Sequence, residues 1–117
     1  MAEQDKNLQE LQFLEQNIQN ILFQKQAFQM ELMETETSLK ELESAGDEVF
    51  KLVGQLMIKA DKSKAKEDLE NKKKLLDLRL KNIEKQEITL MEKVESLRKE
   101  VVDGNKEKQN KDSNNSE

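Results

Sequence analysis

Apolar residues recur at heptad intervals along the first part of the chain. Alternating steps of three and four residues from Leu11 meet an apolar side chain at nearly every position, and only Lys25 and Thr35 interrupt the series. The a positions are Leu11, Ile18, Lys25, Leu32 and Leu39, and the d positions are Leu14, Ile21, Phe28, Thr35 and Leu42. Such a sustained repeat is typical of a helix in a coiled coil. We predict a helix over about residues 5–44, and Gly46 stands where a left-handed C-terminal cap is expected.

A second heptad repeat covers about residues 63–103. Its d positions are Leu69, Leu76, Ile83, Leu90 and Leu97, and its a positions are Lys66, Lys73, Leu80, Glu87, Val94 and Val101. We predict a second helix here, with Asp61 or Ser63 as its N-terminal cap. Two helices of similar length joined by a short segment most simply fold back on each other. The expected fold class is all-α dominated: an antiparallel two-helix coiled coil in which Leu14 lies near Val101.

The segment between the two repeats, residues 48–60, has a different pattern. It is rich in β-branched and other large apolar residues, and Gly54-Gln55 suits a two-residue type II′ turn. We predict one short β-hairpin at the closed end of the coil, with a continuous kinked helix as the alternative. Because a lone two-stranded hairpin is marginal in water, we expect partner strands on its free edges. The residues expected to mediate subunit assembly are Val49, Phe50, Leu52, Val53, Gly54, Leu56, Met57 and Ile58.

Two charged residues occupy a positions of the two repeats. They are Lys25 and Glu87, and folding Leu14 against Val101 brings them into the same layer or into adjacent layers. Opposite charges there set the helix register more than they add stability, because ion pairs at partly exposed sites contribute only about 0–1 kcal/mol. We predict that their Cα atoms lie within about 12 Å of each other.

The composition excludes several kinds of chemistry. The 117 residues include no Cys and no His, which removes disulfides, thiolate nucleophiles, zinc-cysteine clusters and imidazole bases. The three glycines do not form a nucleotide-binding loop. We therefore expect no catalytic residue, no metal and no cofactor, and we interpret the chain as a non-enzyme.

Charge and hydropathy limit the partners and the location. The net charge of −5 argues against a nucleic-acid partner, whose binding depends on neutralising phosphates. No apolar run approaches the length that crosses a bilayer, and the N-terminus lacks the pattern of a signal peptide. These features predict an intracellular, cytoplasmic chain without a membrane partner. After Gly104 the sequence is polar throughout, so we predict one domain over residues 1–103 and a disordered tail over residues 104–117.

Two segments of the chain resemble the β-type subunits of the prefoldin family, in particular the archaeal ones. One is Val49-Phe50-Lys51-x-Val53-Gly54-x-Leu56-Met57-Ile58-Lys59, which is similar to the hairpin of that family. The other is Asn82-Ile83-Glu84-Lys85-Gln86-Glu87, which is similar to a recurring stretch of its second helix. The resemblance covers roughly residues 5–103, and the single hairpin fits the β class because α-type subunits carry two.

The resemblance implies an assembly and an activity. It implies a hetero-hexamer of two α and four β subunits, joined through their hairpins, with six coiled coils projecting from the platform. A complex of this kind is expected to capture unfolded proteins at the coil tips without ATP, to prevent their aggregation, and to deliver them to a group II chaperonin. Its partners would be the prefoldin α subunit, further β subunits, unfolded polypeptides and that chaperonin.

The open end of the coil holds the residues expected to bind clients. They are Leu8, Leu11, Phe13, Leu14, Ile18, Leu97, Val101 and Val102. Phe13 occupies an outward c position, where an apolar ring has no partner in its own coil. The alternative is that these residues only close the coil. The alternative interpretation of the whole chain is a structural coiled-coil tether or dimerisation module without chaperone activity.

Overall fold

The computed structural model of the chain describes the backbone of residues 2–115 and the side chains of residues 3–103. The elements are helix α1 (Ala2–Ser44), strand β1 (Val49–Val53), strand β2 (Leu56–Ala60) and helix α2 (Lys62–Asn115). The predicted fold class is confirmed, because two long antiparallel helices flank a single antiparallel hairpin. Over their described residues, neither helix has an apolar stretch that could cross a membrane.

The first of two compact units joins α1, up to Gln24, to α2 from Ile83 onward. Its buried apolar side chains are Leu14, Ile21, Ile83 and Val94, and its half-buried ones include Leu11, Ile18, Leu90, Leu97 and Val101. All of them occupy predicted a or d positions, so the heptad seam is what the two helices bury against each other. Nη2 of Arg98 donates a hydrogen bond to Oε1 of Glu15 at 2.7 Å, across this pair of helices.

The second compact unit is Lys25–Asn82, which contains the end of α1, the hairpin and the beginning of α2. The guanidinium of Arg79 lies 5.9 Å from the ring centroid of Phe28. Further along α1, Nζ of Lys73 lies 3.7 Å from Oε1 of Glu36. The partners on α2 move backward as those on α1 move forward, which shows directly that the helices are antiparallel here.

Thr35 interrupts the apolar seam in sequence but not in packing. It is buried in the second unit, and its hydroxyl donates a hydrogen bond to the carbonyl oxygen of Glu31 at 2.8 Å. This bond to the preceding turn satisfies the only polar group that the side chain brings into the seam. The most buried apolar residue of this unit is Leu76, a d residue of α2.

The C-terminal end of α1 is capped by a lysine side chain rather than by a glycine. Nζ of Lys62 donates a hydrogen bond to the carbonyl oxygen of Ala45 at 2.7 Å, and the Ala45 amide bonds the Leu42 carbonyl at 3.3 Å. Gly46 does not have a positive φ, so the expected left-handed cap is wrong. The ammonium of Lys62 provides a donor at the helix end, where backbone carbonyls lack partners and the helix dipole is negative. After the hairpin, α2 begins directly after Asp61, which occupies the N-terminal cap position. The carbonyl oxygen of Asp61 accepts a hydrogen bond from the Ala65 amide at 2.9 Å.

The seam of α2 differs from the heptad prediction at its beginning. Lys66 is exposed, and the half-buried residues there are Lys62, Ala65 and Leu69. A four-residue step from Ala65 to Leu69 replaces the predicted three-residue step, because burial of the Lys66 ammonium would remove it from water without a partner. Lys73, the lysine at the next predicted heptad position a, is half-buried as expected.

The end of α2 also differs from the prediction. The helix continues to Asn115, whereas the sequence pattern placed its end near residue 103. A glycine inside a helix costs only about 1 kcal/mol relative to alanine, and the chain contains no proline that would stop the helix beyond Gly104. The disorder predicted for residues 104–117 stays a prediction, which amide hydrogen exchange would measure; residues 116–117 lie outside the described part of the chain.

The predicted hairpin is confirmed, and the alternative of a continuous kinked helix is wrong. The two strands pair from Val49 with Ala60 to Val53 with Leu56. Gly54 has a φ of 62°, and no other residue in the described part of the chain has a positive φ. A positive φ at the first central residue alone is the signature of the type II′ turn.

Candidate functional site

The eight residues predicted to bind clients, here called the tip surface, all belong to the first compact unit. The structure divides them by exposure. Leu8, Phe13 and Val102 are exposed, Leu11, Ile18, Leu97 and Val101 are half-buried, and Leu14 is buried. Phe13 is 63% exposed and Leu14 only 8%, although they are adjacent in sequence. The tip surface is therefore a closed seam with exposed apolar side chains beside it.

The position of each side chain on its helix explains this division. Residues at a and d face the opposite helix, whereas Phe13 at c and Val102 at b face away from it. The ion pair of Glu15 and Arg98 joins the helices at the same level, with both side chains substantially exposed. An exposed pair of this kind contributes only about 0–1 kcal/mol. Apolar packing rather than this ion pair therefore holds the seam closed here, and helix ends open locally more readily than helix interiors.

The residues predicted to mediate assembly, here called the hairpin surface, are almost entirely exposed. Val49 is half-buried, and the remaining members, from Phe50 to Ile58, are exposed. Side chains alternate between the two faces of a strand. One face therefore carries Val53, Leu56 and Ile58, which no other described element covers.

The second face of the hairpin borders an open cleft within the second unit. Phe50, Leu52 and Met57 line it on the hairpin side. The ends of the two helices line it on the other side, with Leu42 and Leu69 among the residues involved. The cleft has a volume of about 970 Å³. Both faces of the hairpin are therefore apolar and both are available for contact.

The backbone of the hairpin is available as well. Within the described chain, β1 pairs only with β2, so each strand has one edge whose amides and carbonyls lack a strand partner. Unpaired strand edges are templates for pairing with another chain. The hairpin surface can accordingly form backbone hydrogen bonds and apolar contacts with neighbouring strands at the same time.

The two residues of the predicted register pair, Lys25 and Glu87, are each half-buried. Both have interactions within the structure. The prediction that their Cα atoms lie within about 12 Å stays a prediction. Over the described side chains, no group of three or more carboxylate residues is arranged to hold a metal ion.

Two exposed leucines of α2 were not among the candidate residues predicted from the sequence. Leu75 and Leu78 are large, apolar and solvent-exposed, although neither belongs to the tip surface or the hairpin surface. The signal was present in the heptad register, which places Leu75 at c and Leu78 at f, both outward positions.

Comparison with known proteins agrees with this architecture. The family model described as prefoldin subunit matches residues 5–111. The prefoldin subunit beta of Thermococcus onnurineus (strain NA1) is 38% identical over 96 residues, which cover 80% of this chain and 83% of that protein. That of Sulfurisphaera tokodaii is 36% identical, covering 80% and 77%.

A solved structure gives the same result for the fold. The crystal structure of the prefoldin beta subunit from Thermococcus strain KS-1 superposes with a TM-score of 0.82 at 35% identity. The match covers 89% of this chain and 93% of that one. With its two-helix coil, its single hairpin and these relatives, the chain belongs to the prefoldin family of chaperone subunits, among the β-type members.

Proposed function

We propose that the chain is a β subunit of a cytoplasmic, hexameric co-chaperone with two α and four β subunits. The complex captures unfolded polypeptides at the tips of its coiled coils, prevents their aggregation and delivers them to a group II chaperonin. It requires no ATP and no cofactor, and the chain itself catalyses no reaction. Membership of the prefoldin family supports a chaperone role and assembly with other prefoldin subunits.

The exposure of apolar side chains at the tip surface carries this proposal. Leu8, Phe13 and Val102 present apolar surface to solvent beside the end of the seam. An unfolded client offers apolar segments of no fixed shape, and a mobile apolar surface contacts many such segments weakly. Several tips acting on one client convert weak contacts into useful avidity without nucleotide energy.

Assembly through the hairpin surface brings the tips together. Partner strands would bury Val53, Leu56 and Ile58 and satisfy the backbone groups on the free strand edges. A tether or dimerisation module, the second candidate, needs no client surface. The apolar tip favours the chaperone over that alternative.

Truncation of the tip tests the proposal. We expect deletion of residues 1–14 together with 98–117 to preserve the hexamer and to abolish suppression of aggregation of a denatured model protein. The matched control deletes residues 104–117 alone and should retain the activity. Native mass spectrometry of each assembly verifies that subunit composition is unchanged. Full activity of the doubly truncated assembly would move capture to the inner coil faces or the platform, and inactivity of the intact complex would favour the tether.

A further inference from the structure

The hairpin is joined to the two helices by connections of different length. Asp61 alone separates β2 from α2, whereas four residues, 45–48, separate α1 from β1. The longer connection contains Gly46, and beyond its chain neighbours no atom lies within 4 Å of where its Cβ would stand. Packing does not constrain the backbone there, and glycine adopts more conformations than other residues. Along the chain, the hairpin is therefore held closely to α2 and loosely to α1.

Apolar packing does not fix the direction of the hairpin either. The face that carries Phe50 and Met57 borders the open cleft of about 970 Å³, across from Leu42 and Leu69. Phe50 and Met57 are 55% and 71% exposed, so most of their surface is not packed against the coil. Close packing holds neighbouring elements at one angle because their side chains interdigitate. The open cleft leaves that constraint weak.

A hydrogen bond connects the beginning of α2 with the end of α1. Nζ of Lys62 donates it to the carbonyl oxygen of Ala45 at 2.7 Å, and the two residues lie 17 positions apart in the chain. Lys62 is half-buried. The bond encloses the whole hairpin, whose outermost strand pair is Val49 with Ala60. It therefore bypasses the four-residue connection and joins the end of α1 to the short junction between β2 and α2.

The charges at the helix ends indicate why a lysine of α2 forms this bond. The dipole of a helix is positive at its N-terminus and negative at its C-terminus. Lys62 and Lys64 lie in the first turn of α2, which contains no acidic residue, and the last turn of α1 contains no basic residue. Lys62 is thus unfavourable for the dipole of its own helix and favourable for that of the other. Its placement indicates a role outside α2.

We propose that Lys62 is a positioning residue for the hairpin. Its bond to Ala45 fixes the direction in which the hairpin leaves the coil, so that the hairpin surface is presented ready for partner strands. A hairpin already held in its bound direction loses less freedom when partner strands add to it. The proposal rests on the proposed function in one respect, which is that subunits assemble through the hairpin surface.

Distance measurements on the full-length chain alone test the positioning. The natural chain contains no Cys, so spin labels are attached through Glu34→Cys on α1 and Gln55→Cys in the turn, both exposed positions. Double electron–electron resonance measures the distribution of distances between the labels. We expect Lys62→Met to broaden it and Lys62→Arg to keep it narrow, because arginine retains a charged donor. Equal widths before and after Lys62→Met would overturn the proposal.

Lys64→Met is the matched control for assembly with the α subunit. Lys64 is exposed in the same turn, so both substitutions relieve the helix dipole similarly, but of the two lysines Lys62 bonds to Ala45. For Lys62→Met we expect the hexamer to dissociate at an about tenfold higher concentration, the effect of losing one hydrogen bond from a charged donor. Lys64→Met should leave that concentration unchanged. Native mass spectrometry on dilution measures both, and equal shifts would contradict the proposal.

Glu43→Lys separates positioning from simple capping of α1. Glu43 is exposed in the last turn of α1, so the substitution supplies a cation to that helix end without a bond to α2. Added to Lys62→Met, it should leave the distances broadly distributed and the hexamer weak. If it restores both, Lys62 acts only as a cation at the end of α1 and the proposal is wrong.

Failure of this proposal is distinguishable from failure of the proposed function. The label distances are measured without partner or client, so equal widths reject the positioning role and leave assembly and client capture standing. Broadening by Lys62→Met with an unchanged dissociation concentration also overturns the proposal, because hairpin direction then does not govern assembly. A hexamer that responds to Lys62→Met as expected, yet does not suppress aggregation when unsubstituted, supports the positioning role and rejects the chaperone function.

Discussion

Leu76 should be the most sensitive apolar position of the second unit. Its side chain is only 2% exposed, and Leu→Ala removes three carbon atoms, about three methylene equivalents, from the seam between the helices. Full burial of a leucine is worth about 1.5–3 kcal/mol, and the residual cavity adds to the loss. Because a two-helix seam can partly collapse around the smaller side chain, we expect about 3 kcal/mol, toward the lower part of the usual 2–5 kcal/mol range.

Leu78→Ala is the matched control for this prediction. It makes the same chemical change in the same helix two residues away, so helix propensity changes equally in both variants. Leu78 is exposed, and surface substitutions usually cost within about 0.5 kcal/mol. Urea unfolding followed by circular dichroism, at a fixed low protein concentration, measures both free energies of unfolding. Equal losses for the two variants would refute the view that burial at the heptad seam holds these helices together.

Three further predictions concern the hairpin and the register. Gly54→Ala should weaken assembly, because a left-handed residue with a side chain costs about 1–2 kcal/mol at a φ of 62° even though open space surrounds the site; hexamer dissociation on dilution measures this. Val53→Asp with Ile58→Asp should leave helical circular dichroism largely intact and abolish the hexamer in native mass spectrometry, and a normal hexamer would place the interface elsewhere. Lys25→Glu and Glu87→Lys should each lower the melting temperature slightly and recover it when combined, whereas additive losses would end the idea of a register pair.

The heptad pattern predicted the fold well, because burial at an interval of 3.5 residues leaves little freedom in how two long helices pair. Periodicity does not predict the structure where local interactions compete with it. Lys66 is exposed to solvent. The side chain of Lys62, rather than a left-handed Gly46, caps the C-terminal end of α1. A hydrogen bond between residues 17 apart leaves no periodic trace in the sequence, so pattern reasoning could not find it.

The candidate sites are less determined by the sequence than the fold is. The pattern identified the hairpin surface as apolar, and the structure shows that most of it is exposed. The heptad register placed Phe13 outward and Leu14 in the seam, as the structure has them, yet both were predicted to bind clients. What each surface binds depends on side chains of other molecules. A single chain contains its own half of each interface and therefore leaves the other half to experiment.

The distribution of burial couples the stability of this chain to its assembly. In the described part of the chain, few side chains are fully buried, and large apolar residues of the hairpin such as Leu52, Leu56 and Met57 are exposed. A two-stranded sheet with such surfaces is marginal alone, so partners that bind its folded form stabilise it by mass action. Under the proposed assembly, partner strands would order the hairpin, and the tip surface would stay available for clients. The proposed function thus assigns stable contacts to the hairpin surface and adaptable contacts to the tip surface, as capture without nucleotide energy requires.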